Sequence, residues 1–294
     1  MISVCIPIYN RQVDKLVGTI AEQCAKAAIP WEIICMDDKS RSDIRKKNRV
    51  LDTKFGVNYV ELSSNVGRSA IRNKLSTLCR YENILFLDCD VKILRNDFIT
   101  QYVRHSEKAS IVCGGIEYSK NKPKKTDRIL HWTYGSNREA IPANKRNEHP
   151  VRHFHSSNFL IKEKILRLHP FVQLPNGYGY EDFHLGLRLN ENNFKILHID
   201  NPVQHLGLNS TKAFLARQIE ASQNLSFLTK QDKDLQTPIV RVKNILHRMG
   251  LTSLFIRFFQ LVESSIERQM LSKNPSLFML DLYKTYHFLT SNEL

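Results

Sequence analysis

The sequence predicts an α/β fold with a mostly parallel central sheet flanked by helices, followed by a C-terminal helical extension. Three observations carry that prediction. Short apolar runs alternate with longer amphipathic stretches through residues 1–210, the pattern of β-α-β units that build a parallel sheet. Several of those apolar runs end abruptly in acidic, proline or glycine residues, as buried strands do when they reach the rim of a sheet. After Ser210 the strand-like runs stop and helical spacing takes over, which places the boundary of the first domain at 1–210 and leaves 211–294 as a helical extension.

The elements follow in order. Ser3–Ile8 reads as a strand and Val13–Ala28 as an amphipathic helix; Glu32–Met36 and Asn58–Leu62 are the next strands. Arg68–Cys79 is a helix opened from a glycine turn, and Ile84–Leu87 is a fourth strand. Asp97–His105 is helical and Ser110–Gly114 a fifth strand. The polar, basic, proline-punctuated stretch 120–150 reads as a mobile loop or lid, with one helix around Asp127–Tyr134. His155–Ile161 is another strand, Asp182–Asn190 a helix and Phe194–Asp200 a short strand. Two amphipathic helices, Pro238–Met249 and Leu251–Leu271, are separated at Gly250.

Composition bounds the function classes. A chain of 294 residues that is 42% hydrophobic and 24% charged has the make-up of an ordinary globular protein and can bury a substantial core. Its formal net charge of +14 favours anionic partners such as nucleotide phosphates, acidic glycans or an anionic membrane surface. The basic clusters at Arg41–Arg49 and Lys120–Lys125 lack interleaved aromatics, which argues against nucleic acid. Six cysteines occur without Cys-x-x-Cys spacing, four of them in or beside apolar runs, the pattern of free thiols in a reducing, cytoplasmic setting. The chain starts on a strand with no signal-like segment, and no uncharged apolar run reaches the ~18 residues of a membrane span.

The chemistry-bearing motifs lie at strand ends. Val4-Cys5-Ile6-Pro7-Ile8-Tyr9-Asn10 stops at Pro7 and presents Tyr9, which can lie flat against a nucleobase or be a plain surface tyrosine. Asp37-Asp38-Lys39-Ser40 can accept hydrogen bonds from a base or ribose, or cap a helix through Ser40 or Ser42. In Asn65-Val66-Gly67-Arg68-Ser69-Ala70-Ile71-Arg72-Asn73, the two arginines are four apart on one helix face, suited to a diphosphate or to acidic side chains. Asp88-Cys89-Asp90 ends the run Ile84–Leu87, and two hard oxygen donors there suit a divalent cation that clamps phosphates. A phosphatase-type nucleophile pair also follows an apolar strand, but Lys92 stands where that pattern wants Thr or Val. Gly177-Tyr178-Gly179-Tyr180-Glu181-Asp182 is a glycine-aromatic turn that ends in a second acidic pair, a candidate base or an acidic helix cap.

Taken in order, Pro7-Ile8-Tyr9-Asn10, Asp37-Asp38-Lys39-Ser40, Asn65-x-Gly67…Arg72-Asn73, Asp88-Cys89-Asp90 and Glu181-Asp182 resemble the motif series of family 2 glycosyltransferases over residues 1–210. The resemblance implies the GT-A nucleotide-diphospho-sugar transferase fold and transfer with inversion at the anomeric carbon. It implies a nucleotide site made of Pro7, Tyr9, Asn10, Asp38, Asn65, Gly67, Arg72 and Asp88. It also implies Mn²⁺ or Mg²⁺ held by Asp90, with the downstream His205 completing the shell. Asp182 matches the general base and Glu181 a residue holding acceptor or donor sugar. The turn at Gly177 is similar to the Gly-Trp-Gly-x-Glu-Asp element of galactosyl- and N-acetylhexosaminyltransferases, with Tyr178 in place of Trp. Ile71 stands where the family usually has Ala, and no Gln-x-x-Arg-Trp motif follows the acidic pair, which speaks against a processive synthase.

The resemblance thus implies a UDP-sugar donor, a glycan or lipid-linked acceptor and a role in cell-surface polysaccharide assembly at the cytoplasmic side. Two alternatives stay open at this point: a sugar nucleotidyltransferase, which wants a glycine-rich loop that Pro7–Arg11 does not offer, and a non-catalytic glycan- or anion-binding module. Of the C-terminal helices, Ile239, Val242, Ile245, Leu246 and Met249 form one stripe, and Leu254, Phe255, Phe258, Leu261 and Val262 another. Such stripes serve packing, dimerisation or peripheral contact of 238–271 with an anionic membrane face; packing is the commoner use.

Overall fold

The computed structural model describes residues 1–232 and 235–292. The chain opens with β1 (Ile2–Ile8), α1 (Asp14–Lys26), β2 (Trp31–Asp37), α2 (Ser42–Asn48) and β3 (Val57–Glu61). It continues through α3 (Arg68–Thr77), β4 (Asn83–Leu87), β5 (Val91–Ile93), α4 (Phe98–Ser106), β6 (Ile111–Cys113) and β7 (Ile116–Glu117). Then come α5 (Ile129–Tyr134), α6 (Ala143–Glu148), β8 (Asn158–Lys162), α7 (Glu163–Leu168), α8 (Glu181–Glu191), β9 (Ile196–His198) and β10 (Val203–His205). The remainder is helical: α9 (Thr211–Gln231), α10 (Pro238–Arg248), α11 (Thr252–Met270) and α12 (Leu277–Asn292).

The chain divides into two compact units. The first comprises Met1–Ser119, Arg138–Gln173 and Glu181–Gly207. Its main sheet has the order β3-β2-β1-β4-β8-β6-β9. The β3-β2, β2-β1, β1-β4 and β6-β9 pairs are parallel, and only β8 runs antiparallel to its two neighbours. The expected mostly parallel α/β sheet is therefore present. β1, β2 and β4 are buried almost throughout, as strands covered on both faces must be. Beneath them Phe86 stacks on Phe159 with ring centroids 5.2 Å apart, and Phe154 and Phe171 meet that pair edge-on. Each such fully buried ring contributes about 1.5–3 kcal/mol over an exposed one.

A second, three-stranded sheet, β5-β10-β7, has no counterpart in the sequence-based elements. Within the stretch 120–150 the expected helix is present as α5, and a further helix, α6, was not expected; its Arg146 is buried. That guanidinium donates to the carbonyls of Ile141, Cys113, Gly114 and Ile199 and meets His198 Nδ1 at 2.7 Å. A buried charge with this many acceptors ties α6 to the ends of β6 and β9.

The second unit comprises Lys120–Asn137, Leu174–Tyr180 and Leu208–Leu294. α9 starts from a Ser210 cap whose hydroxyl accepts from the Ala213 N–H, and α10 from Thr237 followed by Pro238. Leu130, Phe214, Leu215, Phe259, Ile266, Met270, Leu280 and Tyr283 form its core. Among the described residues, no helix is long and apolar enough to cross a membrane.

Candidate active site

The functional groups of the first unit sit where strands end. β1 and β2 finish side by side, with Ile8 paired to Asp37. Beyond them Asn10 takes a left-handed φ of 53° and Lys39 one of 62°. The Asn10 N–H donates to Ser40 Oγ, the Arg41 N–H donates to Asn10 Oδ1, and the Ser40 N–H donates to Asp37 Oδ1. Pro7 lies just inside this rim and Tyr9 projects from it, 55% exposed. Asp38 is buried: its carboxylate accepts from the Val66 and Gly67 N–H groups at 2.7 and 3.0 Å, while Asn65 Nδ2 donates to its carbonyl. Asp38, Asn65 and Gly67 (φ 83°) therefore fasten the turn that opens α3.

That turn aims two arginines at the acidic motifs. Arg72, 1% exposed, donates to Asp88 Oδ1 at 2.6 Å, and its guanidinium lies 5.8 Å from the Phe171 ring centroid. One turn earlier, Arg68 donates through Nε to Glu181 Oε1 at 2.9 Å and lies 3.8 Å from Asp88 Oδ2. The i, i+4 pair thus holds acidic side chains of both motifs, one of the two uses the spacing allows.

Asp90 meets His205 because of the small sheet. Asp90 immediately precedes β5, and β10 pairs with β5 antiparallel, with His205 opposite Val91. The Leu206 N–H donates to the Asp90 carbonyl at 2.8 Å. His205 Nε2 then lies 3.5 Å from Asp90 Oδ2. Burial pushes the Asp90 carboxyl up, but His205 outweighs it and holds the group at about 2. Burial pulls His205 down and Asp90 raises it, with a net rise. The ring of Tyr118 stands 5.3 Å from that of His205.

Asp90 and His205 offer donors of the types a divalent cation takes, a carboxylate and an imidazole. One carboxylate and one imidazole converge, and no group of three or more His, Cys, Asp or Glu suited to a metal occurs among the described residues. Such an ion would take its other ligands from phosphate and water, as Mg²⁺ and Mn²⁺ do in phosphate chemistry. Space is kept for the carboxylate by Gly207, where a Cβ would lie 1.8 Å from Asp90 Oδ2.

Glu181 and Asp182 open α8. Asp182 Oδ1 accepts the Phe183 N–H at 2.8 Å, and its Oδ2 lies 3.8 Å from His155 Nδ1. Burial pushes the Asp182 carboxyl up; the His155 partner and the Phe183 N–H reverse that and hold it below the ordinary carboxylate range. His155 is correspondingly raised, Asp182 overcoming the effect of burial. Within the second unit, the turn just before this pair is clamped to α9. Asn224 Nδ2 donates to the carbonyls of Asn176, Tyr178 and Gly179, and a Cβ on Gly179 would lie 2.5 Å from Ala221 Cβ. His155, Tyr118 and Gly207 were not singled out from sequence; nothing in their spacing marks them.

Residues 3–168 match the family model described as glycosyl transferase family 2. The chain therefore belongs to glycosyl transferase family 2, and it is an enzyme, a glycosyltransferase of the GT-A fold. Among solved structures it is similar to a mannosyltransferase from Pyrobaculum calidifontis in complex with GDP-Man and Mn²⁺. The TM-score is 0.60 at 16% identity, covering 99% of this chain and 86% of that one. It is also similar to S. aureus TarS 1–349 in complex with UDP (TM-score 0.51, 16% identity, 99% and 90% covered). A TarS structure with UDP-GlcNAc gives 0.50 at 15% identity, with the same coverage. No curated protein matches the chain in sequence.

Proposed function

We propose that the protein is an inverting, divalent-metal-dependent glycosyltransferase that moves a hexosyl or N-acetylhexosaminyl group from a UDP-sugar to a hydroxyl of a glycan or lipid-linked acceptor. The observation that supports this reading is that Arg68 lies against Asp88 and Glu181 at once, 3.8 and 2.9 Å away, so that the two acidic motifs share one cation. The mannosyltransferase complex with GDP-Man and Mn²⁺ and the TarS complex with UDP-GlcNAc support a nucleotide-sugar donor.

Asp90 and His205 would hold Mn²⁺ or Mg²⁺, whose chemistry is to stabilise the charge that develops on the departing diphosphate. Asp182, ionised at neutral pH by its partners, accepts the proton of the acceptor hydroxyl as that oxygen bonds to the anomeric carbon and the bond to the diphosphate breaks. Glu181 is held by Arg68 beside it and orients a sugar hydroxyl. Tyr9, exposed at the end of β1, stacks on the uracil ring. Asp38, Asn65 and Gly67 act on the nucleotide through the shape of the loop they fasten, and Arg72 through the position of Asp88. Attack by the acceptor on the face opposite the diphosphate inverts the anomeric centre, and no covalent intermediate is needed. The place of action is the cytoplasmic side, where polysaccharide precursors are assembled.

The test is Asp182→Asn. Transfer should fall by about 10²–10⁴-fold in kcat, the range of a general base. The thermal shift given by UDP with Mn²⁺ should stay at the wild-type value. Near-normal turnover of the variant would remove Asp182 from the role of base. A panel of UDP, GDP, dTDP and CDP with and without Mn²⁺ assigns the donor; stabilisation by GDP instead of UDP would overturn the uridine assignment.

A further inference from the structure

Helices α10 and α11 of the second unit form a hairpin across Met249, Gly250 and Leu251, with Gly250 in the left-handed region at φ 67°. Their inner faces are satisfied: Ile239 and Val240 are buried on α10, and Phe259, Ile266 and Met270 on α11. Phe259 stacks on Tyr286 with centroids 4.3 Å apart. The apolar stripes legible in the sequence mostly point the other way. Val242, Ile245 and Met249 on α10, and Leu254, Phe258 and Leu261 on α11, are 41–83% exposed. They recur at three- and four-residue steps, so each helix turns one continuous apolar row to solvent.

The charge around those rows is of one sign. Residues 238–262 contain Arg241, Lys243, Arg248 and Arg257 and no Asp or Glu. The three arginines are exposed and lie on the flanks of the rows, while Lys243 lies 5.9 Å from the Phe288 ring centroid. The acidic residues of α11, Glu263 and Glu267, come after its exposed row has ended. A guanidinium beside an inserted apolar row can reach the phosphates of a headgroup layer while its stem lies along the acyl boundary. A second copy is a poorer occupant: a two-fold contact through this face sets arginines of one sign against each other.

We propose that the α10–α11 hairpin is a membrane-docking surface that inserts Val242, Ile245, Met249, Leu254, Phe258 and Leu261 into the interface of an anionic leaflet, with Arg241, Arg248 and Arg257 on lipid phosphates. Among the described residues no helix is long and apolar enough to cross a bilayer; the hairpin lies on it. The surface stands independently of the transfer reaction, although it would deliver a lipid-linked acceptor to the enzyme.

The experiment is co-sedimentation of the full chain with phosphatidylcholine vesicles, with and without phosphatidylglycerol, at low and high salt. Binding should require the anionic lipid and weaken as salt screens it. The double variant Phe258→Ser/Leu261→Ser should weaken binding by about tenfold or more, since it removes two inserted side chains. Arg248→Glu/Arg257→Glu should abolish it. Both variants alter exposed positions only, and an unchanged thermal shift with UDP and Mn²⁺ would separate loss of docking from loss of the nucleotide site. Equal binding to neutral and anionic vesicles overturns the proposal, as does no binding to either. A concentration-dependent dimer in sedimentation velocity that Phe258→Ser/Leu261→Ser dissociates would give the face to a second copy and overturn it too.

Discussion

Gly207→Ala would place a methyl group in the room that the Asp90 carboxylate occupies. The added Cβ would stand 1.8 Å from Asp90 Oδ2, whereas Cβ atoms essentially never approach a heavy atom below 3.0 Å, so the two must separate by more than about 1 Å. The backbone has little freedom to absorb this. His205 is paired with Val91, and the Leu206 N–H is bonded to the Asp90 carbonyl, so the displacement falls on the carboxylate. A metal site tolerates about 0.2 Å in donor distance. A misplacement of about 1 Å near reacting groups costs about 10²-fold in rate, or about 2.7 kcal/mol of transition-state stabilisation. Gly207→Ala should therefore lose about 10²-fold in kcat/KM and need more Mn²⁺ for the same UDP-dependent thermal shift. Gly18→Ala is the control, because a Cβ there meets nothing within 4 Å and the position lies inside α1. A Gly207→Ala enzyme within threefold of wild type at the same Mn²⁺ requirement would refute the placement of the cation on Asp90.

Three further substitutions have outcomes that follow from the geometry. Gly18→Ala should stabilise the protein by about 0.5–1 kcal/mol in denaturant unfolding, by removing helix-interior glycine entropy. Arg72→Met should cost about 3 kcal/mol or more in the same assay, because it leaves Asp88 without its buried partner. His155→Asn should move the acid limb of the kcat profile to higher pH, since burial then pushes the Asp182 carboxyl up without an opposing imidazolium. The stability lost in His155→Asn should be largest between the ordinary Asp and His values, about pH 4 to 6.5. There the lowered Asp182 is ionised and the raised His155 charged; the deficit should close as pH rises through the folded His155 titration.

The parallel half of the sheet was legible because strands buried on both faces are nearly continuous apolar runs: β1, β2 and β4 needed only that signal. β5, β7 and β10 were not legible. β6 and β9 are as short but lie within longer runs that read as strands. Val91-Lys92-Ile93, Ile116-Glu117 and Val203-Gln204-His205 instead each carry a polar residue and are strands through pairing with distant chain. That gap reached the site. β10 brings His205 to Asp90, and from sequence His205 had only the family resemblance to recommend it. The direction of the C-terminal stripes was also hidden, because periodicity shows that a face exists and not what covers it. α9 gave no stripe at all: it buries Gln218, Ser222 and Asn224 beside its leucines, and Asn224 holds the Gly177 turn through three carbonyls.

Four carboxylates, Asp88, Asp90, Glu181 and Asp182, gather in one unit, and the partners that face them differ in how easily they let go. Asp88 faces Arg72, a buried guanidinium that cannot lose its proton and has no route to solvent; that pair is permanent and holds a strand end to a helix. Glu181 faces Arg68, which is partly exposed and lies against Asp88 as well, so its grip can be shared with an arriving anion. Asp90 and Asp182 face histidines. An imidazole can release its charge near neutral pH and can serve as a neutral metal ligand, which a guanidinium cannot do. The two carboxylates proposed for cation and base thus each face a counter-charge that can be withdrawn.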